Sequence, residues 1–328
     1  MGRIRIGLSS WTDKSLLESG KFYPPEISDA AGRLKYYTMQ FPHLVEVNST
    51  YYSPPAERNA ILWVERTPDD FLFDLKMYSL FTQHPTAPRS LPKRVYEQLG
   101  EDVKSKPHIY LNHVPPDAAE EIMAGFVRAL RPLHEGGKLG AIHAAEEIMA
   151  GFVSALRPLH EGGKLGAILL QVPRWFYPGQ RSRDHISWCK ERLADYPVAV
   201  EFRNGDWLAE GTQENTLDFL RSNGLAYVCV DEPQGHKSSV PPVAEVTSPI
   251  LSYVRFHGRR KETWERPGVT VQERTRYLYS REELGEWVPK VEELAGGAAE
   301  VHVLMNTNYL DYAVRNARQL KQLLESET

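Results

Sequence analysis

Short runs of apolar and β-branched residues alternate with helical stretches from one end of the chain to the other. No other feature restricts the fold as strongly. Strands are expected at 3–9, 44–49, 71–77, 167–172, 198–203, 226–230, 252–257 and 300–306. Helices are expected at 30–41, 55–66, 144–159, 183–195, 213–223, 281–294 and 312–324, with a further one near 91–103. Eight strands with interleaved helices predict a single parallel (β/α)8 TIM-type barrel domain over residues 1–328. The alternative, a doubly wound open sheet, carries a G-x-G-x-x-G turn after its first strand, and none follows here. The connection 78–116 is long and rich in proline and charge, and is expected to cap one barrel end. Connections 231–249 and 258–279 are also long, and long βα loops of this fold build its sites.

One segment breaks the pattern. Residues 118–142 read AAEEIMAGFVRALRPLHEGGKLGAI and residues 144–168 read AAEEIMAGFVSALRPLHEGGKLGAI. The period is 26 residues, and Arg128 against Ser154 is the one difference. Solenoid repeats drift apart and come in several copies, so this reads as a recent or engineered tandem duplication, 118–143 and 144–168, within the domain. Each unit is an amphipathic helix, a glycine stop and the start of a strand. The second copy runs directly into Leu169–Pro173, so its helix is expected to hold the native slot and the other to be extruded. GGKLG lacks the Ser or Thr that a phosphate loop places after its lysine, and reads as a helix end.

Polar residues gather at the C-terminal ends of the strands. Side chains two apart on a strand share a face. Such pairs are Glu46 and Asn48, Asp74 and Lys76, Glu201 and Arg203, Arg255 and His257, and Asn306 and Asn308, with Gln171 and Asp231 at two further ends. Unpaired buried ions are costly, so these groups must pair with one another or face a wet pocket. A structural charge network is the plain alternative, because the carboxylates of Glu46, Asp74, Glu201 and Asp231 nearly balance Lys76, Arg203 and Arg255.

Roles follow from chemistry. Glu46, Glu201 and His257 are the candidate proton-transfer groups. Arg203 and Arg255 are rigid forks for phosphate or carboxylate, and Lys76 adds a point charge. Asn48, Asp231 and Asn306 supply polar contacts. Trp207 and Tyr309, like Trp11, Tyr51 and Tyr52, follow strand ends and are placed to stack on a sugar or base or to pack beneath a loop. Glu46, Glu201, Asp231 and His257 are the only set that would ligate a metal. The neighbouring cations and the lack of H-E-x-x-H or paired-cysteine spacing argue against it, so no metal ligands are assigned, and the sequence implies no particular cofactor. Cys189 and Cys229 have no evident activating partner, and His84, His108 and His113 fall in the long loop.

Composition excludes several classes. Two cysteines in 328 residues rule out a disulfide framework and fit a reducing compartment. The longest apolar runs fall far short of the roughly 18 residues of a membrane span. The chain opens MGRIRI, without a signal peptide, so a cytoplasmic protein is expected. The net charge of -4, from 39 basic and 43 acidic residues, disfavours a nucleic-acid partner; the basic run Arg259, Arg260 and Lys261 is the one local exception.

Several stretches resemble the family known as domain of unknown function 72. They are IGLSSW and FYPP (6–25), VEVNSTYYSPP (45–55), RTPDDFLFDLK (66–76), LLQVP (169–173), AVEFRNGDW (199–207), YVRFHGR (253–259) and NTNYLDYAVRNA (306–317). They occur in family order and span nearly the whole chain. The resemblance implies a TIM barrel of the kind shared with xylose isomerase and endonuclease-type barrels, and implies no reaction. The family usually has Gly-Trp where this chain has Ser10-Trp11, and His-Pro-x-Trp where it has Asn204-Gly205-Asp206-Trp207. It usually has a second Asn and a His at Thr307 and Asn308, and it lacks the duplication.

Three functions compete. The first is an enzyme using acid–base chemistry on a small anionic or sugar-like substrate. The second is a nucleic-acid-binding or processing protein, suggested by the basic run 259–261, the aromatic residues and the analogy with endonuclease-type barrels. The third is a non-catalytic ligand-binding barrel. Oligomeric state is not written in the sequence.

Overall fold

The computed structural model describes residues 1–52, 57–91, 93–114, 122, 166–193 and 197–326. The eight strands are β1 (Arg3–Leu8), β2 (Leu44–Val47), β3 (Leu72–Lys76), β4 (Ile168–Gln171), β5 (Val198–Glu201), β6 (Ala226–Asp231), β7 (Leu251–Phe256) and β8 (Glu300–Met305). All eight expected strands are present, each within two residues of its expected ends. Four of them, β2, β5, β6 and β7, are buried along their whole length, so both faces need apolar residues and the runs stand out. The tandem copies lie outside the described residues, apart from Ile122 and the 166–168 end that enters β4.

The chain forms two compact units. One comprises Met1–Glu46, Arg174–Pro178 and Ala199–Thr328, the other Val47–Pro173 and Gly179–Val198. In the first, parallel strands follow the order β5-β6-β7-β8-β1. β2 lies beside β1: a Cβ on Gly7 would sit 2.5 Å from the Leu44 carbonyl oxygen, so only glycine permits this approach. The buried Tyr37 hydroxyl ties the two strands, accepting from the Leu8 N–H and donating to the Leu44 carbonyl, both at 3.0 Å. In the second unit β3 pairs in parallel with β4. Asp74 is buried there, and its carboxylate accepts the Ala167 N–H at 2.5 Å.

Helices follow the rules of their sequence. Tyr312–Ser326 buries Ala313, Ala317 and Leu320 at helical spacing. Ala30–Gln40 is capped by Asp29, which accepts from the Ala31 and Gly32 N–H groups. The helix expected at 281–294 is two, Arg281–Gly285 and Val288–Gly297. Pro289 lacks an N–H and fits only the first turn of a new helix. The helix expected near 91–103 is likewise two short ones, Lys93–Gln98 and Glu101–Lys104, separated by extended backbone at Gly100. Helix Lys14–Glu18 has no counterpart among the expectations. Among the described residues no helix is long and apolar enough to cross a membrane.

Candidate functional site

Four strands of the first unit deliver ionic side chains to one cluster. Tyr253 and Arg255 share a face of β7, and the register sets Arg255 beside Val230 of β6. Arg255 is 1% exposed, and its two terminal nitrogens go to different carboxylates. One donates to Glu46 at 2.7 Å, the other to Glu201 in a short charged contact. Tyr253 donates its hydroxyl to the second oxygen of Glu46 at 3.0 Å. Glu201 also receives His257 at 3.0 Å and Arg203 at 3.2 Å. Asn306 lies 2.9 Å from the other ring nitrogen of His257, and Asn308 donates to Asn306 at 3.3 Å.

This chain of contacts fixes the histidine tautomer. A carboxylate accepts only, so Nε2 carries the proton toward Glu201 and Nδ1 accepts from the Asn306 amide. Burial pushes the imidazole down to about 4 although Glu201 pulls it up, and the ring is neutral. Burial alone would raise Glu201, but Arg255, His257 and Arg203 together hold it well below the usual carboxylate range. Arg255 is held charged against its burial by Glu201 and Glu46. Glu46, Glu201, Arg255 and His257 thus bond chiefly to one another, all at or below 2% exposure.

Arg203 is the member that reaches solvent, its side chain 15% exposed. Its guanidinium lies 4.7 Å over the ring of Trp264 and 3.2 Å from Glu232 as well as Glu201. Glu232 is buried; one oxygen accepts the Val240 N–H at 2.8 Å, the other faces Arg203. Burial, opposed by Arg203, pushes its carboxyl up to about 7. Glu232 was not among the expected site residues. Side-chain parity could have found it: Val228, Val230 and Glu232 alternate with Cys229 and Asp231.

The same parity corrects Asp231. It pairs with Phe256 and so faces away from the Arg255 side. There it accepts from Arg259 at 2.7 Å, Tyr279 at 2.7 Å and Trp287 at 2.7 Å, amid the rings that pack on Phe256. Trp207, placed by the sequence either to stack on a ligand or to pack beneath a loop, does the latter and is fully buried. Its rings stack on Phe202 and Phe176 and its indole N–H donates to the Phe176 carbonyl at 2.7 Å, because the 205–208 turn folds it under the loop. Tyr309 packs on Tyr312 with Arg276 above its ring. Asn48 and Lys76 belong to the second unit, where Lys76 lies 4.4 Å over the Tyr51 ring. Arg259 is tied to Asp231 and Glu286, and Arg260 to the Glu273 carbonyl, which leaves the basic run largely answered. Among the described residues no group of three or more His, Cys, Asp and Glu is arranged to hold a metal ion. Within the cluster, Arg255 lies between Glu46 and Glu201, where a metal held by both would have to sit.

Known proteins place this arrangement in a family. The family described as "Protein of unknown function DUF72" matches residues 5–328. The UPF0759 protein YunF of Bacillus subtilis (strain 168) is 31% identical over 327 residues, covering 99% of this chain and 95% of that one. A DUF72 family protein of Thermotoga maritima MSB8 is similar in structure, with a TM-score of 0.69 and 28% identity over 98% of this chain and 99% of that one. Another, from Enterococcus faecalis V583, gives 0.68 and 25% over 98% and 95%. With eight parallel strands alternating with helices, these likenesses show a TIM-type (β/α)8 fold. Matched in sequence from end to end and in fold to two solved members, the chain belongs to the DUF72 family.

Proposed function

We propose that the protein is an enzyme that moves a proton on a small anionic or sugar-like substrate at the strand ends of the first unit. One observation carries this reading. Glu232, a buried carboxyl held near neutrality, lies 3.2 Å from Arg203, the one solvent-reaching cation of the cluster. A carboxyl near 7 exchanges protons efficiently at neutral pH, and a rigid guanidinium beside it holds a negative substrate group. Glu46, Glu201, His257 and Asn306 then act as positioning residues. They hold Arg255 and Arg203 in place, and both ring nitrogens of His257 are already engaged. The reading of the protein as a nucleic-acid binder is disfavoured by the acidic balance and by the carboxylates around Arg259.

The test is a panel of sugar phosphates, sugar acids and neutral sugars incubated in heavy water and followed by proton NMR. The expected result is conversion or deuterium exchange of one member. Glu232→Gln should abolish it while the ligand still binds. A ligand that binds through Arg203 and is never altered would make the protein a non-catalytic binder and overturn the enzyme reading.

A further inference from the structure

Two arginines outside the saturated network share the surroundings of Arg203. Arg174 follows β4 and belongs to the first unit; its guanidinium donates to the Trp264 carbonyl at 2.9 Å and lies 5.6 Å over the same indole that Arg203 covers. Arg274 ends the short helix Val271–Arg274 after β7. Among the described residues no carboxylate comes within ion-pair distance of Arg174 or Arg274. Burial, joined by the charge of Arg203, draws both guanidiniums below their ordinary range; Arg174 also feels Arg274, and Glu265 and Glu232 oppose its shift without cancelling it. Three like charges are therefore gathered in one half-buried place.

Two of the unanswered groups there are donors, and one, the Glu232 Oε2 that faces Arg203, is an acceptor. The Nε of Arg274 and the indole N–H of Trp264 are buried without a hydrogen-bond partner. Buried donors require acceptors, and clustered cations require an anion. We infer that Arg174 and Arg203, which both lie over the Trp264 ring, form together with Arg274 a subsite for the phosphoryl group of a phosphate monoester. A carboxylate has two oxygens and is satisfied by one guanidinium fork; a phosphoryl group offers three acceptor oxygens, one for each of three arginines from three different loops. This deepens the reading above and rests on it for the role of Arg203. Glu232, beside Arg203, would then face the portion of the substrate next to its phosphate.

The probes are inorganic phosphate and glycerol phosphate, with acetate and chloride at matched ionic strength as controls, read by calorimetry and by thermal unfolding of the full chain. Both phosphates should bind and stabilise the wild type beyond the controls. Arg274→Gln and Arg174→Gln should each weaken binding by about tenfold or more, the scale of a hydrogen bond to a charged group. Without ligand, each variant should unfold at the wild-type temperature or higher, because it relieves repulsion between like charges. Phosphate stabilisation no greater than that of chloride, or phosphate affinity unchanged in both variants, would overturn the inference. So would lowered stability in both variants without ligand, which marks the arginines as structural. Failure of the enzyme reading looks different: phosphate binds through the three arginines but no monoester is altered. Conversely, turnover of an unphosphorylated acid that needs Arg203 but neither Arg174 nor Arg274 would sink the phosphate subsite and leave the enzyme reading standing.

Discussion

Ser10 sits at φ 132°, a region that side-chain-bearing residues rarely enter, and its hydroxyl accepts the Thr12 N–H at 3.1 Å. The family resemblance implies glycine at this position, and the backbone supplies a reason: glycine occupies the conformation freely. Ser10→Gly should therefore stabilise the protein by about 1 kcal/mol, the lower end of what such strained positions cost. Urea unfolding checks this; an unchanged or lower midpoint would show that the hydroxyl contact outweighs the strain. Glu232 and His257 give a second test. Glu232 is raised from 4.5 to about 7 in the folded state, so its contribution is fully present below about 4.5 and is lost as pH rises toward 7. His257 is lowered from 6.5 to about 4, so its contribution is present above 6.5 and is lost as pH falls toward 4. Between 4.5 and 6.5 the two slopes oppose each other and largely cancel. Glu232→Gln should expose the histidine slope, with stability falling steeply on acidification over that window. Equal slopes in the variant and the wild type would contradict the Glu232 assignment, and a flat profile in the variant would contradict that of His257. The residue scale is also where the sequence was misread. Asp231 and Glu232 are adjacent and chemically alike, and only strand parity separates an outward hub from a member of the cluster.

At the scale of elements, strands were legible because parallel strands buried on both faces are short apolar runs with polar ends. Helix breaks were less so. Pro289 and Gly100 divide two expected helices into four, and composition alone does not say which local breaker prevails over periodicity. The short segment Lys14–Glu18 carries too few residues to show a helical period. The tandem repeat yields the element-scale prediction. Copy 144–168 keeps its direct connection into β4, so deletion of 118–143 restores one copy without altering that junction. The shortened protein should be soluble, with an unchanged β/α circular dichroism signature and an unfolding temperature equal to or above that of the full chain. An insoluble or unfolded product would show that both copies are integral.

At the scale of the whole molecule, the candidate site was half legible. The residue types were visible at the strand ends, because ions in otherwise apolar strands must serve some purpose. Their partners were not visible, because the contacts that matter join distant parts of the chain: Arg255 meets Glu46 across 209 positions and Glu201 across 54. Nor could the sequence show that Arg255 is neutralised on both sides while Arg203 keeps access to solvent, since that division is set by packing. Of the residues that frame Arg203, Trp264 ends the four-residue helix Lys261–Trp264 and Arg174 lies in the loop after β4, and neither stretch is long enough to show a periodic signal. The central claim is that this ionic cluster exists to hold an anion. Crystals soaked in tungstate, an anomalously scattering tetrahedral dianion, test it most directly. The account predicts a dominant anomalous peak within hydrogen-bond reach of the Arg203 guanidinium. Peaks confined to exposed lysines and arginines elsewhere, with none at Arg203, would contradict it.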